Sequence, residues 1–133
     1  MQRHPALRTL SSDHHSGLVL ARRARQAANG NAHGQSHCWT MVVARFHAEL
    51  EPHFRLEEDR LLPALRRAGE TPLVARTLSE HADLRRLIAD NQTGNLAQFA
   101  DLLTAHIRFE EKELFQRAQQ LLDLGQLTEL MPE

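Results

Sequence analysis

The chain has 133 residues, 41% hydrophobic and 25% charged, a balance that argues against disorder and suits one domain with its own core. A formal net charge of −1 offers no basic field for nucleic acid or an anionic membrane, and no apolar run approaches the ~18 residues of a membrane span. One cysteine, Cys38, excludes an internal disulfide and a Cys–Cys zinc framework; with no secretory leader in view, the expected compartment is the cytoplasm. The first helix is predicted to open at Ser11-Ser12-Asp13, good N-cap chemistry, with Leu7, Leu10, His14, Leu18 and Ala21 on one stripe. It stops at Asn29-Gly30. The second runs from about Ser36 to Arg67 and carries Trp39, Val42, Phe46, Leu50, His53, Glu57, Leu61 and Ala64 in steps of three and four. Pro52 lies inside it; because the stripe continues in phase, a kink is expected there rather than a loop.

Thr71-Pro72 reads as the N-cap and first position of a third helix, with Val74, Leu78, His81, Leu84 and Ile88 on one face. After residues 91–95 a fourth begins near Leu96 and turns Phe99, Leu102, Leu103, His106, Glu110 and Leu114 inward. It decays near Leu124-Gly125, and a short tail helix follows around Leu127. No stretch alternates apolar and polar residues as a strand would. The prediction is an all-α fold: an antiparallel up-down-up-down four-helix bundle with a short C-terminal tail helix, one domain over residues 1–133.

Nine histidines stand against no tyrosine and one tryptophan. They are dispersed, which points to metal or a proton switch rather than a tag. Two of the core stripes also contain a carboxylate, which burial penalises unless something compensates it. His53-Phe54-Arg55-Leu56-Glu57-Glu58 and His106-Ile107-Arg108-Phe109-Glu110-Glu111 both read His-x-x-x-Glu-Glu, and extended to ten residues they agree at His, Arg, both Glu and a Leu. The i,i+4 spacing sets His and Glu on one face, about 6 Å apart along the axis. The other two helices share a second echo, Ser12-Asp13-His14 and Ser79-Glu80-His81.

A lone histidine on an apolar face is ordinarily a hydrogen-bonded core residue, and one His-x-x-x-Glu pair an ordinary surface contact. Four such elements, one per helix and all in phase with the core, are a different matter. In an antiparallel bundle they gather four imidazoles and two carboxylates at one level, a costly cluster without central positive charge. Imidazole and carboxylate without thiolate suit iron, manganese or zinc. Glu57 and Glu110 can bridge two ions, His14 and His53 serving one, His81 and His106 the other. Room is then left for a bridging oxygen and an exogenous molecule.

Over Asp13 to about Phe115, these motifs resemble the hemerythrin-like, or HHE cation-binding, domain. The resemblance implies two iron ions in an antiparallel four-helix bundle, with Glu57 and Glu110 as bridging carboxylates and His14, His53, His81 and His106 as terminal imidazoles. It implies a protein that binds or senses dioxygen or nitric oxide, or that handles iron. The oxygen-carrying members have a second histidine one turn after that on helix three. Here that position is Arg85, which cannot bind a cation and is expected to reach solvent or a carboxylate.

His15 competes with His14 as the ligand of helix one. Glu58 and Glu111 lie a further 100° round their helices and are expected to be solvated or to support the ligands from outside. His47 falls off the His53 stripe, while His4, His33 and His37 have no helical register. The leading expectation is a cytosolic di-iron protein that takes a small diatomic or peroxide ligand; as a sensor, it needs a partner protein. A redox enzyme of peroxidase or oxidase type, and a module with a structural cation, are the competing readings. Ferritin-like proteins fit less well, since they use Glu-x-x-His and more carboxylates.

Overall fold

The computed structural model describes residues 3–130. Helix α1 is Arg8–Ala28. Helix α2 occupies residues 32–67, α3 is Thr71–Asp90, α4 occupies residues 96–121 and α5 is Leu124–Leu130. Short 3-10 turns, Pro5–Leu7 and Thr93–Asn95, precede α1 and α4. No strand occurs among the described residues. Long helices joined by three to five residues must return antiparallel, which gives the up-down-up-down bundle with its short C-terminal helix.

Three helix starts differ from the sequence expectation, the third by a single residue. Helix α1 begins three residues before Ser11, behind a 3-10 turn whose cap is His4, with Nδ1 accepting from the Ala6 N–H at 2.9 Å. Ser11 and Asp13 are not caps; both side chains reach neighbouring helices. Helix α2 begins at Ala32, where the Asn31 side chain accepts from the Gly34 N–H, four residues ahead of Ser36. In α3, Pro72 does sit in the first turn, with Glu70 rather than Thr71 at the cap.

Helix α2 runs without a break through Pro52. A π turn, Phe46–Leu50, precedes the proline, and the Glu51 N–H bonds the Phe46 carbonyl five residues back. A second π turn, Glu57–Leu61, stands in the same relation to Pro63, with the Leu62 N–H on the Glu57 carbonyl. A proline in an α-helix presses its ring on the carbonyl four residues back and supplies no N–H to it. The extra residue of a π turn shifts the ladder and absorbs that conflict. A third π turn, Glu110–Leu114, lies in α4 with no proline after it. Both His-x-x-x-Glu-Glu boxes therefore widen at their first glutamate.

Every apolar residue of the α2 stripe is buried, and the core divides into two clusters. One joins the end of α1 to Trp39, Phe46, Leu84, Phe99 and Leu103. The other joins Leu7 and Leu10 to Leu61, Leu65, Val74, Leu114, Phe115 and Leu127. Gly17 lets α1 lie close to α4, since a Cβ there would stand 2.8 Å from Ile107 Cδ1. Asn91, with φ of 56°, ends α3 in the left-handed conformation, and its Oδ1 accepts from the Trp39 indole N–H at 2.8 Å. A polar layer lies between the two apolar clusters.

Candidate metal centre

That layer is made of His14 on α1, His53 and Glu57 on α2, His81 on α3, and His106 and Glu110 on α4. All six side chains are buried, Glu57, His81 and Glu110 completely. They fall into two groups, His14/His53/Glu57/Glu110 and Glu57/His81/His106/Glu110; within each, one ligand atom per residue lies within 4.8 Å of the others. The two carboxylates belong to both. His15, the alternative on helix one, is exposed, as are His33, His37 and His47.

Each imidazole turns Nε2 toward the two glutamates. His14 Nε2 lies 2.7 Å from Glu110 Oε1, and His81 Nε2 lies 3.0 Å from Glu57 Oε1. His53 Nε2 stands 3.4 Å from Glu57 Oε2, and His106 Nε2 stands 3.2 Å from Glu110 Oε2. Those last four atoms are buried and make no hydrogen bond with proper geometry. Four unpartnered polar atoms converging at one level are costly in a protein interior. A shared cation would satisfy them, and the donor set fits iron, manganese or zinc. The residues present fit a metal.

The opposite nitrogen of each ring meets a carboxylate from outside. His14 Nδ1 is 2.7 Å from Glu111, His53 Nδ1 is 3.1 Å from Asp13, His81 Nδ1 is 2.7 Å from Glu58, and His106 Nδ1 is 2.7 Å from Glu80. Each acid is one residue away from a residue of the inner layer, yet serves an imidazole on the next helix. Asp13 of α1 serves α2, Glu58 of α2 serves α3, Glu80 of α3 serves α4, and Glu111 of α4 returns to α1. The ring is closed and runs in one sense. An imidazole held at Nδ1 by a carboxylate presents Nε2 inward in a fixed tautomer and gains basicity, which is how ligand histidines are oriented.

From sequence Glu58 and Glu111 are expected outside the ligand set, Asp13 is expected only as part of a helix cap, and Glu80 has no expected role. The signal for the latter pair was the acid preceding histidine in both Ser-acid-His echoes. Arg85 points away from the centre and forks onto Glu51 and Glu58, with Nη2 2.7 Å from Glu51 and Nη1 2.8 Å from Glu58. Aromatic rings wall the layer: Phe54 stacks on His81 at 3.9 Å between centroids, and Phe115 on His14 at 5.1 Å.

The charges are mutually tuned when no cation is bound. Burial alone would lower the His106 pKa, but Glu110 and Glu80 beside it push the group up to about 10. His53 is raised well above its ordinary value against the same burial, by Glu57, Asp13 and Glu110. His14 is raised by Glu110 and Glu111. Burial opposes ionisation of Glu110 too, yet His106, His14 and His53 hold its carboxyl well below the usual range. Arginine and histidine contacts outweigh burial at Glu58 and Glu80, and His14 and Ser11 do so at Glu111; all three are lowered.

Comparison with curated proteins and with solved structures returns no match. A family model, the hemerythrin HHE cation-binding domain, matches residues 5–118, which cover α1, α2, α3, all but the last three residues of α4, and the whole polar layer. The chain belongs to the hemerythrin HHE cation-binding domain family.

Proposed function

We propose that this chain is a cytoplasmic non-haem di-iron protein that binds or senses a small ligand: dioxygen, nitric oxide or peroxide. The observation that supports it is the pair of four-residue groups meeting on the same two buried glutamates. In this reading Glu57 and Glu110 would be shared by two cations, His14 and His53 would complete the holding of one, and His81 and His106 that of the other. Iron held there would supply one-electron chemistry; manganese or zinc fits the same donors. The outer carboxylates keep the four Nε2 atoms aimed inward. Phe54 and Phe115 pack against the rings and exclude water. Arg85, drawn outward by Glu51 and Glu58, adds no ligand. The chain holds no tyrosine as a phenolic proton donor, which favours ligand binding or sensing over turnover. A sensor of this kind passes its signal through a partner protein.

The test is the optical spectrum of anaerobically iron-reconstituted protein, before and after dioxygen or nitric oxide. A ligand-dependent charge-transfer band is the expected result. Steady consumption of peroxide would instead identify a redox enzyme, and an unresponsive spectrum a structural cation.

A further inference from the structure

The four imidazole–carboxylate contacts differ in how firmly they are held. Glu58 is fastened from outside by Arg85, Glu80 by Arg76, and Glu111 by Arg3 and Ser11. Each arginine also lies over a phenylalanine beside the site: Arg85 over Phe54 at 5.6 Å, Arg76 over Phe109 at 4.0 Å, Arg3 over Phe115 at 5.5 Å. Among the described residues no arginine reaches Asp13. Its contact with His53 is the longest of the four, and its side chain is 48% exposed against 34% or less for the other three. Among the described residues His53, like His106, has no stacked aromatic partner, whereas His14 and His81 do; its ring contacts are tilted or edge-on. The α1/α2 corner is the least fastened wall.

A cavity of about 230 Å³ lies outside that corner, lined by Asp13, Ser16, Gly17, Ala48 and Glu49 among others. Its charged lining groups are both carboxylates, Glu49 being paired in turn with Arg45. Two other cavities flank the bundle. The α1/α4 groove is lined by Arg22, Arg25 and Arg108 with Asp101, and the hollow outside Glu58 by Arg55 and Arg85 with Glu51, Glu58 and Asp59. Guanidinium groups outnumber carboxylates in the α1/α4 groove and repel a cation there; in the hollow Arg85 already occupies Glu51 and Glu58, whereas no guanidinium lines the α1/α2 cavity.

We propose that the α1/α2 cavity is the port through which divalent cations reach the His/Glu layer, with Asp13 receiving the cation and His53 turning to admit it. The port rests on the reading of that layer as a metal centre. Turning His53 breaks one hydrogen bond to a half-exposed carboxylate. Turning His14, His81 or His106 breaks a contact to a carboxylate that is itself clamped. The cation then passes from the Asp13 carboxylate to Glu57 and Glu110, and His53 closes behind it.

The experiment is stopped-flow loading of the metal-stripped full chain with Co²⁺, followed by its visible absorption. Ala48→Trp fills the cavity from its rim and is expected to slow loading by about tenfold or more while final cobalt content stays at the parent value. Asp13→Asn removes the receiving charge; it should slow loading and flatten the decline of the rate with ionic strength. Ala105→Trp, in the α1/α4 groove, should leave the rate within about twofold. Parent-like rates in both Ala48→Trp and Asp13→Asn, or slowing by Ala105→Trp alone, would overturn the port. A parent protein that takes up no cobalt overturns the metal reading itself, and the port with it.

Discussion

Glu80 on α3 joins two residues at once: Oε1 lies 2.7 Å from Nδ1 of His106 on α4, and Oε2 accepts from Nε of Arg76 at 3.0 Å. The carboxylate is thus fixed from behind while it fixes the imidazole in front. Glu80→Gln keeps the shape but loses the charge on both contacts. Metal affinity should fall by roughly 10- to 100-fold, the usual effect of losing an orienting partner, as measured by competition with a chelator. Unchanged affinity would show that Glu80 does not support a ligand.

Glu57 and Glu110 belong to both four-residue groups, whereas each histidine belongs to one. Glu57→Ala or Glu110→Ala should therefore cost both cations and lower the melting temperature of the loaded protein. His14→Ala and His106→Ala should each weaken one position and spare the other. Metal equivalents per chain after desalting separate these outcomes; a glutamate variant that keeps its full complement removes the bridging role.

Arg85 spans Glu51 and Glu58 and holds the latter against His81. These bonds are partly buried, so Arg85→Ala should destabilise the fold by about 1–2 kcal/mol in urea titration. Arg85→Lys should recover only part of that, since an ammonium cannot fork onto two carboxylates. A histidine at this position should shift the charge-transfer spectrum of the iron protein if the backbone allows its ring inward. A spectrum identical to the parent would mean that position 85 faces the carboxylates alone.

With metal stripped, the charge pairs give a bell-shaped dependence of stability on pH. The His106 pKa is raised from 6.5 to about 10, so its contribution is complete below about 6.5 and is lost as pH rises through 10. Glu80, Glu110 and Glu111 are lowered from 4.5, so theirs is present above that value and lost as pH falls. The melting temperature of the stripped protein should peak between about 4.5 and 6.5. Metal needs neutral imidazoles, so loading at neutral pH should release protons from His53 and His106, and calorimetry in buffers of different ionisation enthalpy measures them. No proton release would contradict the raised values.

Asn91 occupies a left-handed turn and accepts from the indole of Trp39. Asn91→Gly relieves the backbone but leaves the indole N–H, on a side chain 4% exposed, without its acceptor. The expected net loss is about 1 kcal/mol, read by chemical denaturation with the single tryptophan as probe. A stabilised variant would show that the hydrogen bond counts for less than the strain.

The bundle is legible because its signals are local. Helical spacing in α2 places Trp39 through Ala64 on one face, and the stripe survives even the prolines, since the π turns that absorb them leave the apolar side inward. The inner cluster is legible for the same reason: a carboxylate in phase with leucines at Glu57 and Glu110 stands out. The outer ring is not, because it depends on which helix lies next to which. Asp13 sits beside His14 in sequence but serves His53, and Ser11 bonds Glu111 across the bundle. Both residues look like helix caps for that reason; their hydrogen-bonding capacity is spent on neighbouring helices instead.

The central claim is that two cations share Glu57 and Glu110. The most direct measurement is a crystal structure of the iron-loaded protein with anomalous data at the iron edge. The account predicts two anomalous peaks, one among His14, His53, Glu57 and Glu110 and one among Glu57, His81, His106 and Glu110. A single peak, or iron bound anywhere outside these six side chains, would contradict it.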